Sequence, residues 1–144
     1  MAASGEVFVR YYGQPGYPKQ FNDLGEPPPV VFSSSEFCEV KYAAIVGARR
    51  LSPEAVEPEI ALVKQLVAEG YAIVSGGAAG ADSVALQQAL ALGAYPTAIL
   101  ANGIDIVYPR ANAALFAEIR RAGTLVTEML PGARPHRSFF PARN

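Results

Sequence analysis

The chain has 144 residues, 51% of them hydrophobic, which suits one domain with a real core and excludes compositional disorder. No apolar run approaches the ~20 residues of a membrane helix, and residues 1–6 lack the basic start and apolar stretch of a signal peptide, so no membrane partner is expected. The formal net charge of −1 argues against a general nucleic-acid binder, but the charge is unevenly spread. Residues 110–144 hold Arg110, Arg120, Arg121, Arg134, Arg137 and Arg143 against Glu118 and Glu128, a local +4; the other six bases and eleven acids make the rest −5. A basic C-terminal third on an acidic body reads either as an anion-attracting face or as an ordinary solvated surface. The single cysteine, Cys38, excludes an internal disulfide and fits a reducing, cytoplasmic setting. One Cys and one His, His136, cannot close a tetrahedral zinc site, and no cofactor is expected.

Residues 1–41 are rich in turn formers: Gly13-Gln14-Pro15-Gly16, Tyr17-Pro18 and Pro27-Pro28-Pro29. Proline fixes φ and pushes the preceding residue to extended backbone, so the segment reads as an arm packed on the main domain. Within it, Val30-Val31-Phe32 predicts a short edge strand, Ser33-Ser34-Ser35 a turn or cap, and residues 36–40 one helical turn.

From Tyr42 the pattern becomes regular. Residues 42–46 form a continuous apolar run ending at Gly47, the pattern of a buried parallel strand. Ser52-Pro53-Glu54 predicts an N-cap, a proline in the first helical turn and an acid beside it. Val56, Ile60, Val63 and Val67 follow at helical spacing as far as Gly70. Residues 71–74 predict a second strand, 81–92 a second helix, 96–100 a third strand, 112–121 a third helix and 124–127 a fourth strand. Residues 131–144 read as irregular. Strands alternating with helices imply βαβ crossovers. The expected fold is a three-layer, Rossmann-like α/β domain over residues 42–144, with a mostly parallel sheet and the N-terminal extended arm.

In such sheets ligands bind beyond the carboxyl ends of the strands, where four loops converge. Ser75-Gly76-Gly77-Ala78-Ala79-Gly80 joins a strand to a helix N-terminus. Glycines let backbone N–H groups approach an anion, and the helix end adds partial positive charge, so the turn is read as a phosphate site; a tight turn without a ligand is the alternative. No Gly-Lys-Ser/Thr follows, so it is not a Walker A loop, and it is not a clean GxGxxG. Arg49, just after the first strand, and Arg110, in the third loop, are candidates to fork onto phosphate. Asp82 is expected to compensate the helix dipole or cap the backbone, and Asp105 to form a turn. Tyr108, Phe139 and Phe140 offer rings for base stacking or for packing the tail. His136 has no neighbouring nucleophile, and no paired acids or nucleophile elbow appear, so catalysis is not expected.

Five ordered segments resemble the DNA-processing protein A (DprA, or Smf) family. They are Ile45-Val46-Gly47-Ala48-Arg49, residues 75–90, Gly103-Ile104-Asp105 through Tyr108-Pro109-Arg110-Ala111-Asn112, Val126-Thr127-Glu128, and Phe140-Pro141-Ala142-Arg143-Asn144. Tyr17-Pro18 and residues 26–32 extend the match into the arm. The resemblance implies single-stranded DNA binding without substrate turnover, in DNA uptake, transformation and recombination, with RecA loading as a downstream step. It implies DNA or phosphate contacts at Gly47, Arg49, Ser75, Gly76, Gly77, Gly80, Gly103, Tyr108, Arg110, Asn112, Phe140, Arg143 and Asn144. It also implies RecA recombinase and a second copy of the chain as partners. The sequence departs from the family at Ala48 for Ser or Thr, at Gly77, Ala79 and Ala81 for Leu, Arg and Ile, and at Leu86 for His. Family members continue beyond the last motif with segments that carry dimerisation and RecA contacts, so the chain is expected to be a piece of a longer protein or a short relative. A nucleotide or nucleotide-derived small-molecule binder is the second reading. A phosphoribohydrolase ranks third, because the threonine and glutamate of its PGG-x-GT-x-x-E signature are missing.

Overall fold

A computed structural model describes residues 5–144. Its strands are β1 (Phe8–Tyr11), β2 (Val30–Ser33), β3 (Lys41–Ala44), β4 (Tyr71–Ser75), β5 (Thr97–Ile99) and β6 (Thr124–Thr127). Its α-helices are α1 (Pro53–Ala68), α2 (Ala81–Ala91), α3 (Ala113–Ala122) and α4 (Phe139–Arg143). All six strands form one sheet in the order β1-β2-β6-β5-β4-β3. β3 to β6 run parallel, and the arm adds β2 antiparallel to β6 and β1 antiparallel to β2. The Rossmann-like, mostly parallel sheet expected from the sequence is therefore present. Among the described residues no helix is long and apolar enough to cross a membrane.

From β3 to β6 each crossover moves one strand in the same direction, and right-handed connections then put α1, α2 and α3 on one face. Core packing agrees. Val63 of α1 meets Ala85 and Ala89 of α2 over Ile73, while Leu86, Leu115, Phe116 and Ile119 close over Ala98 and Leu125. The strand pleat sends neighbouring residues to opposite faces, so Val126 points away from Leu125 and packs with Val31 and Tyr17. Phe21, Phe37 and Ile99 complete that second, arm-covered core. The third layer is thus made by the arm.

Three local expectations are corrected. Residues 30–33 are not an edge strand; β1, not among the expected elements, pairs outside them. Residues 42–46 are not a buried strand. β3 ends at Ala44, only β4 pairs with it, and Val46 is 75% exposed. An apolar run records a tendency to be buried, while strand order decides which strand lies at the edge. Residues 36–40 form no helical turn. Glu36 pairs with Arg10, Glu39 with Lys19, and Phe37 joins the arm core, so tertiary contacts override a weak local preference.

Helix boundaries fall close to expectation. α1 starts at Pro53 behind Ser52, although the Ser52 hydroxyl makes no capping hydrogen bond. The tail expected to be irregular contains the short helix α4.

Candidate nucleic-acid interface

The parallel strands β3 to β6 end at one edge of the sheet, and their four following loops meet there. Arg49 follows β3, Gly76 to Ala79 follow β4, Leu100 to Asn102 with Tyr108 and Pro109 follow β5, and Phe140 and Arg143 return from the chain beyond β6. Together they line a cleft of about 110 Å³. A second cleft of about 400 Å³ adjoins it, sharing Arg49, Gly76, Ala78, Phe140 and Arg143 and continuing to Val46, Gly47, Asp82 and Asn144.

Phe140 lies at the centre of the arrangement. The guanidinium carbon of Arg49 lies 5.3 Å from its ring centroid and that of Arg143 lies 5.9 Å away, both within cation–π range. The Tyr108 ring is 6.1 Å from Phe140, tilted by 51°. Tyr108 is 45% exposed, so a large ring faces solvent beside two cations. Among the described residues the ion pairs are Arg10–Glu36 and Lys19–Glu39, both in the arm, so no carboxylate neutralises Arg49.

Arg143 is held differently. Its Nη1 donates to the carbonyls of Gly76 at 2.6 Å and Ile99 at 3.2 Å, which ties the tail to the ends of β4 and β5. Burial pulls its pKa below the ordinary arginine range; the nearby Asp82 opposes that shift and Arg49 adds to it. It stays charged nevertheless, as arginine does in proteins. A Cβ on Gly76 would lie 2.2 Å from Arg143 Nη1, so only glycine permits this approach. Gly80 is required for a second reason: its φ is +83°, and a Cβ there would lie 2.2 Å from the Ala48 carbonyl oxygen.

The glycine turn offers fewer free donors than its sequence implies. The Ala81 N–H donates to Ala48 O at 3.0 Å, and the Ala78 N–H to Asp82 Oδ2 at 3.2 Å. Asp82 thereby caps the turn, in line with its expected backbone role. The turn serves as the floor on which Arg143 rests, and the exposed positive charge comes from Arg49.

The remaining expected site residues separate by environment. Ser75 is buried and donates to Ile45 O at 2.6 Å. Asn112 is buried; its Nδ2 donates to Gly77 O at 3.0 Å and Ser83 Oγ at 2.8 Å, bracing the turn from behind. Gly47 packs against α2, where a Cβ would lie 2.8 Å from that of Ala81, and Gly77 packs against Phe116. The Gly103 N–H donates to Ala133 O at 2.8 Å, tying the third loop to the tail. Arg110 does not line the cleft with Arg49; it lies in a neighbouring groove beyond Tyr108. Asp105, expected as a turn former, accepts the Gly132 N–H at 2.7 Å and so anchors the tail. His136 Nδ1 bonds the Ser138 hydroxyl and stands apart from the cleft. Sequence reasoning did not select Asn102 and Pro109 as cleft-lining residues, or Arg134 beside Arg110. For Arg134 a signal existed, since it follows the Pro131-Gly132 turn within the basic third.

Comparison with known proteins bears on the family and the fold. The profile of the family described as DNA recombination-mediator protein A matches residues 8–144. Protein Smf of Synechocystis sp. is 32% identical over 136 residues, covering 90% of this chain and 34% of that protein. A putative DNA processing protein DprA of Mycobacterium tuberculosis is 40% identical over 104 residues, 72% of this chain and 27% of that protein. Among solved structures, DNA processing protein A of Helicobacter pylori, studied for its single-stranded DNA binding mode, superposes with a TM-score of 0.84 at 27% identity, covering 99% of this chain and 65% of that one. DprA of Streptococcus pneumoniae superposes at 0.86 with 26% identity, covering 96% of this chain and 49% of that one. The chain spans about a third of the length of these curated relatives. With a profile match across nearly its whole length, the chain belongs to the DNA recombination-mediator protein A family, DprA/Smf.

Proposed function

We propose that this chain binds single-stranded DNA at the strand-end cleft, with Arg49 holding a backbone phosphate and Tyr108 and Phe140 presenting rings to the bases. The observation that carries this reading is Arg49 itself: a guanidinium without an acid partner among the described residues, placed 5.3 Å from an aromatic ring. Cation beside ring is the combination that sequence-tolerant single-strand binding requires. Family membership and the Helicobacter pylori relative support DNA as the ligand. The cleft adjoins a second one of about 400 Å³ through Arg49, Gly76, Ala78, Phe140 and Arg143, so a phosphate held at Arg49 has room to continue as a longer ligand.

Fluorescence anisotropy with labelled oligo-dT at low salt tests the reading. Arg49→Ala should weaken binding and flatten the dependence of log K on log salt by about 0.7, one phosphate contact's worth on a single strand. Absence of binding by the unaltered chain at low salt overturns it. Thermal stabilisation by a mononucleotide but not by DNA would favour the small-molecule reading instead.

The finer parts of the role belong to the same proposal: a non-catalytic, cytoplasmic protein of DNA uptake and recombination that delivers DNA to RecA and pairs with a second copy of itself. Co-sedimentation with RecA on oligo-dT tests the first partnership and analytical ultracentrifugation the second.

A further inference from the structure

The middle helix of the packed face, α2, differs from its two neighbours in charge. No charged residue occurs from Ser83 to Ile104, and the exposed positions of α2 and its end are Gln87, Ala91 and Leu92. On either side, α1 and α3 carry exposed charges of both signs: Glu57 and Lys64 on α1, Glu118 and Arg121 on α3. Between α2 and α3 runs a groove of about 510 Å³. Leu115, 6% exposed, and the half-buried Leu90 line it, with Glu118 and Arg121 along the α3 side. Neither Glu118 nor Arg121 is in an ion pair among the described residues. An ordinary solvated helix face carries charges throughout, whereas an uncharged centre edged by charges is the anatomy of a protein interface.

Building on the pairing of two copies proposed above, we infer that this groove is where a second copy of the chain docks, α2 and α3 of one against α2 and α3 of the other across a two-fold axis. The charges on the rim select that occupant. Glu118 and Arg121 lie one turn apart on α3 with opposite sign. A two-fold axis through the groove runs the two α3 helices antiparallel, so Glu118 of one copy meets Arg121 of the other, and symmetry forms the reverse contact as well. A partner with a surface of one sign would satisfy one of these residues and repel the other. The contact lies within residues 87–122, ahead of the segments beyond the last motif to which the family resemblance assigns dimerisation. It shares no lining residue with the Arg49 cleft, so pairing leaves the strand-end clefts of both copies open.

Sedimentation velocity over a concentration series tests the surface. The unaltered chain should pass from monomer to dimer as its concentration rises. Ala91→Arg places a charge in the groove from an exposed position, and should raise the dimer dissociation constant at least about tenfold, because the two introduced charges meet across the axis. Glu118→Arg alone, or Arg121→Glu alone, sets like charges against each other and should weaken the dimer. The double variant Glu118→Arg with Arg121→Glu restores opposite charges at the unaltered net charge and should recover it. Both rim positions are exposed, so these variants decide the question even where Ala91→Arg does not fold. A dimer unchanged by Ala91→Arg and by both single reversals overturns this surface and leaves pairing to another face. Weakening by the single reversals without recovery in the double variant overturns the two-fold arrangement. A chain that stays monomeric at every concentration overturns the surface and the pairing together, while the DNA-binding reading stands.

Discussion

The N-terminal arm and the C-terminal tail look alike in sequence, since both are irregular, proline-bearing and outside the strand–helix alternation, yet they handle charge in opposite ways. In the arm, Arg10 pairs with Glu36 and Lys19 with Glu39. Its Tyr17 is buried, packs edge-to-face with Tyr12 and Phe21, and donates its hydroxyl to Pro28 O at 2.7 Å. The tail and the loop it contacts carry Arg110, Arg134, Arg137 and Arg143 with no ion pair among the described residues. Arg143 spends its donors on carbonyls, and Phe140 lies among cations. A segment that neutralises its own charges completes a fold; one that leaves them open is available to an anion. The difference fits an architectural arm and, under the function proposed above, a tail that takes part in binding.

The strongest way to break this contrast is through the arm's apolar anchor. Phe32→Ala empties a buried ring position in the core beneath α3, and should cost about 3–5 kcal/mol in denaturant unfolding. In the folded fraction, affinity for oligo-dT should stay the same. A large affinity loss at temperatures where the variant is folded would show that the arm takes part in binding. The next effect belongs to the tail. Arg143→Ala removes two charge-assisted hydrogen bonds to the strand ends and should cost about 1.5–3 kcal/mol, with weaker DNA binding as well. If stability were untouched, Arg143 would not be the latch described above.

The smallest effect is expected at the arm's exposed ion pair. The Lys19 ammonium, by hydrogen bond and by charge, holds the Glu39 carboxyl below the ordinary glutamate range. A depressed acid stabilises the fold above its unfolded pKa, and that contribution disappears as pH falls through the folded value. Both side chains are at least three-quarters exposed, so solvent screens the pair. Glu39→Gln should therefore leave the melting temperature at neutral pH and the DNA affinity unchanged, removing only a minor acid-side slope from the melting curve. A clear drop in affinity at neutral pH would blur the line between arm and tail.

Much of the architecture was legible because it follows from local patterns. Val56, Ile60, Val63 and Val67 read as one helix face, and Val63 is indeed wholly buried. The strand–helix alternation implied parallel strands and a shared loop edge, and four loops meet there. β1 carried a signal that the reading of the arm as turn-rich passed over: Val7 to Tyr12 is a β-branched and aromatic run ending at Gly13, and it pairs with β2. Arg49 was recognisable as a residue of the strand-end edge from its place after a strand, and it lines the cleft there. Arg110 was grouped with it, but only the path of the third loop shows that Tyr108 stands between them.

The glycine turn shows where local reading ends. That residues 75–80 must turn sharply between a strand and a helix is written in the glycines, because φ values such as +83° at Gly80 exclude side chains. Which groups that turn then serves depends on its tertiary partners: Asp82 takes the Ala78 N–H, Ala48 takes the Ala81 N–H, and Arg143, 67 positions beyond Gly76, rests on the turn. Helices, strands and turns follow from near-neighbour chemistry, which any short window of sequence contains. Which arginines remain unpaired, and on which side of Tyr108, depends on contacts between distant segments that form only when the sheet closes.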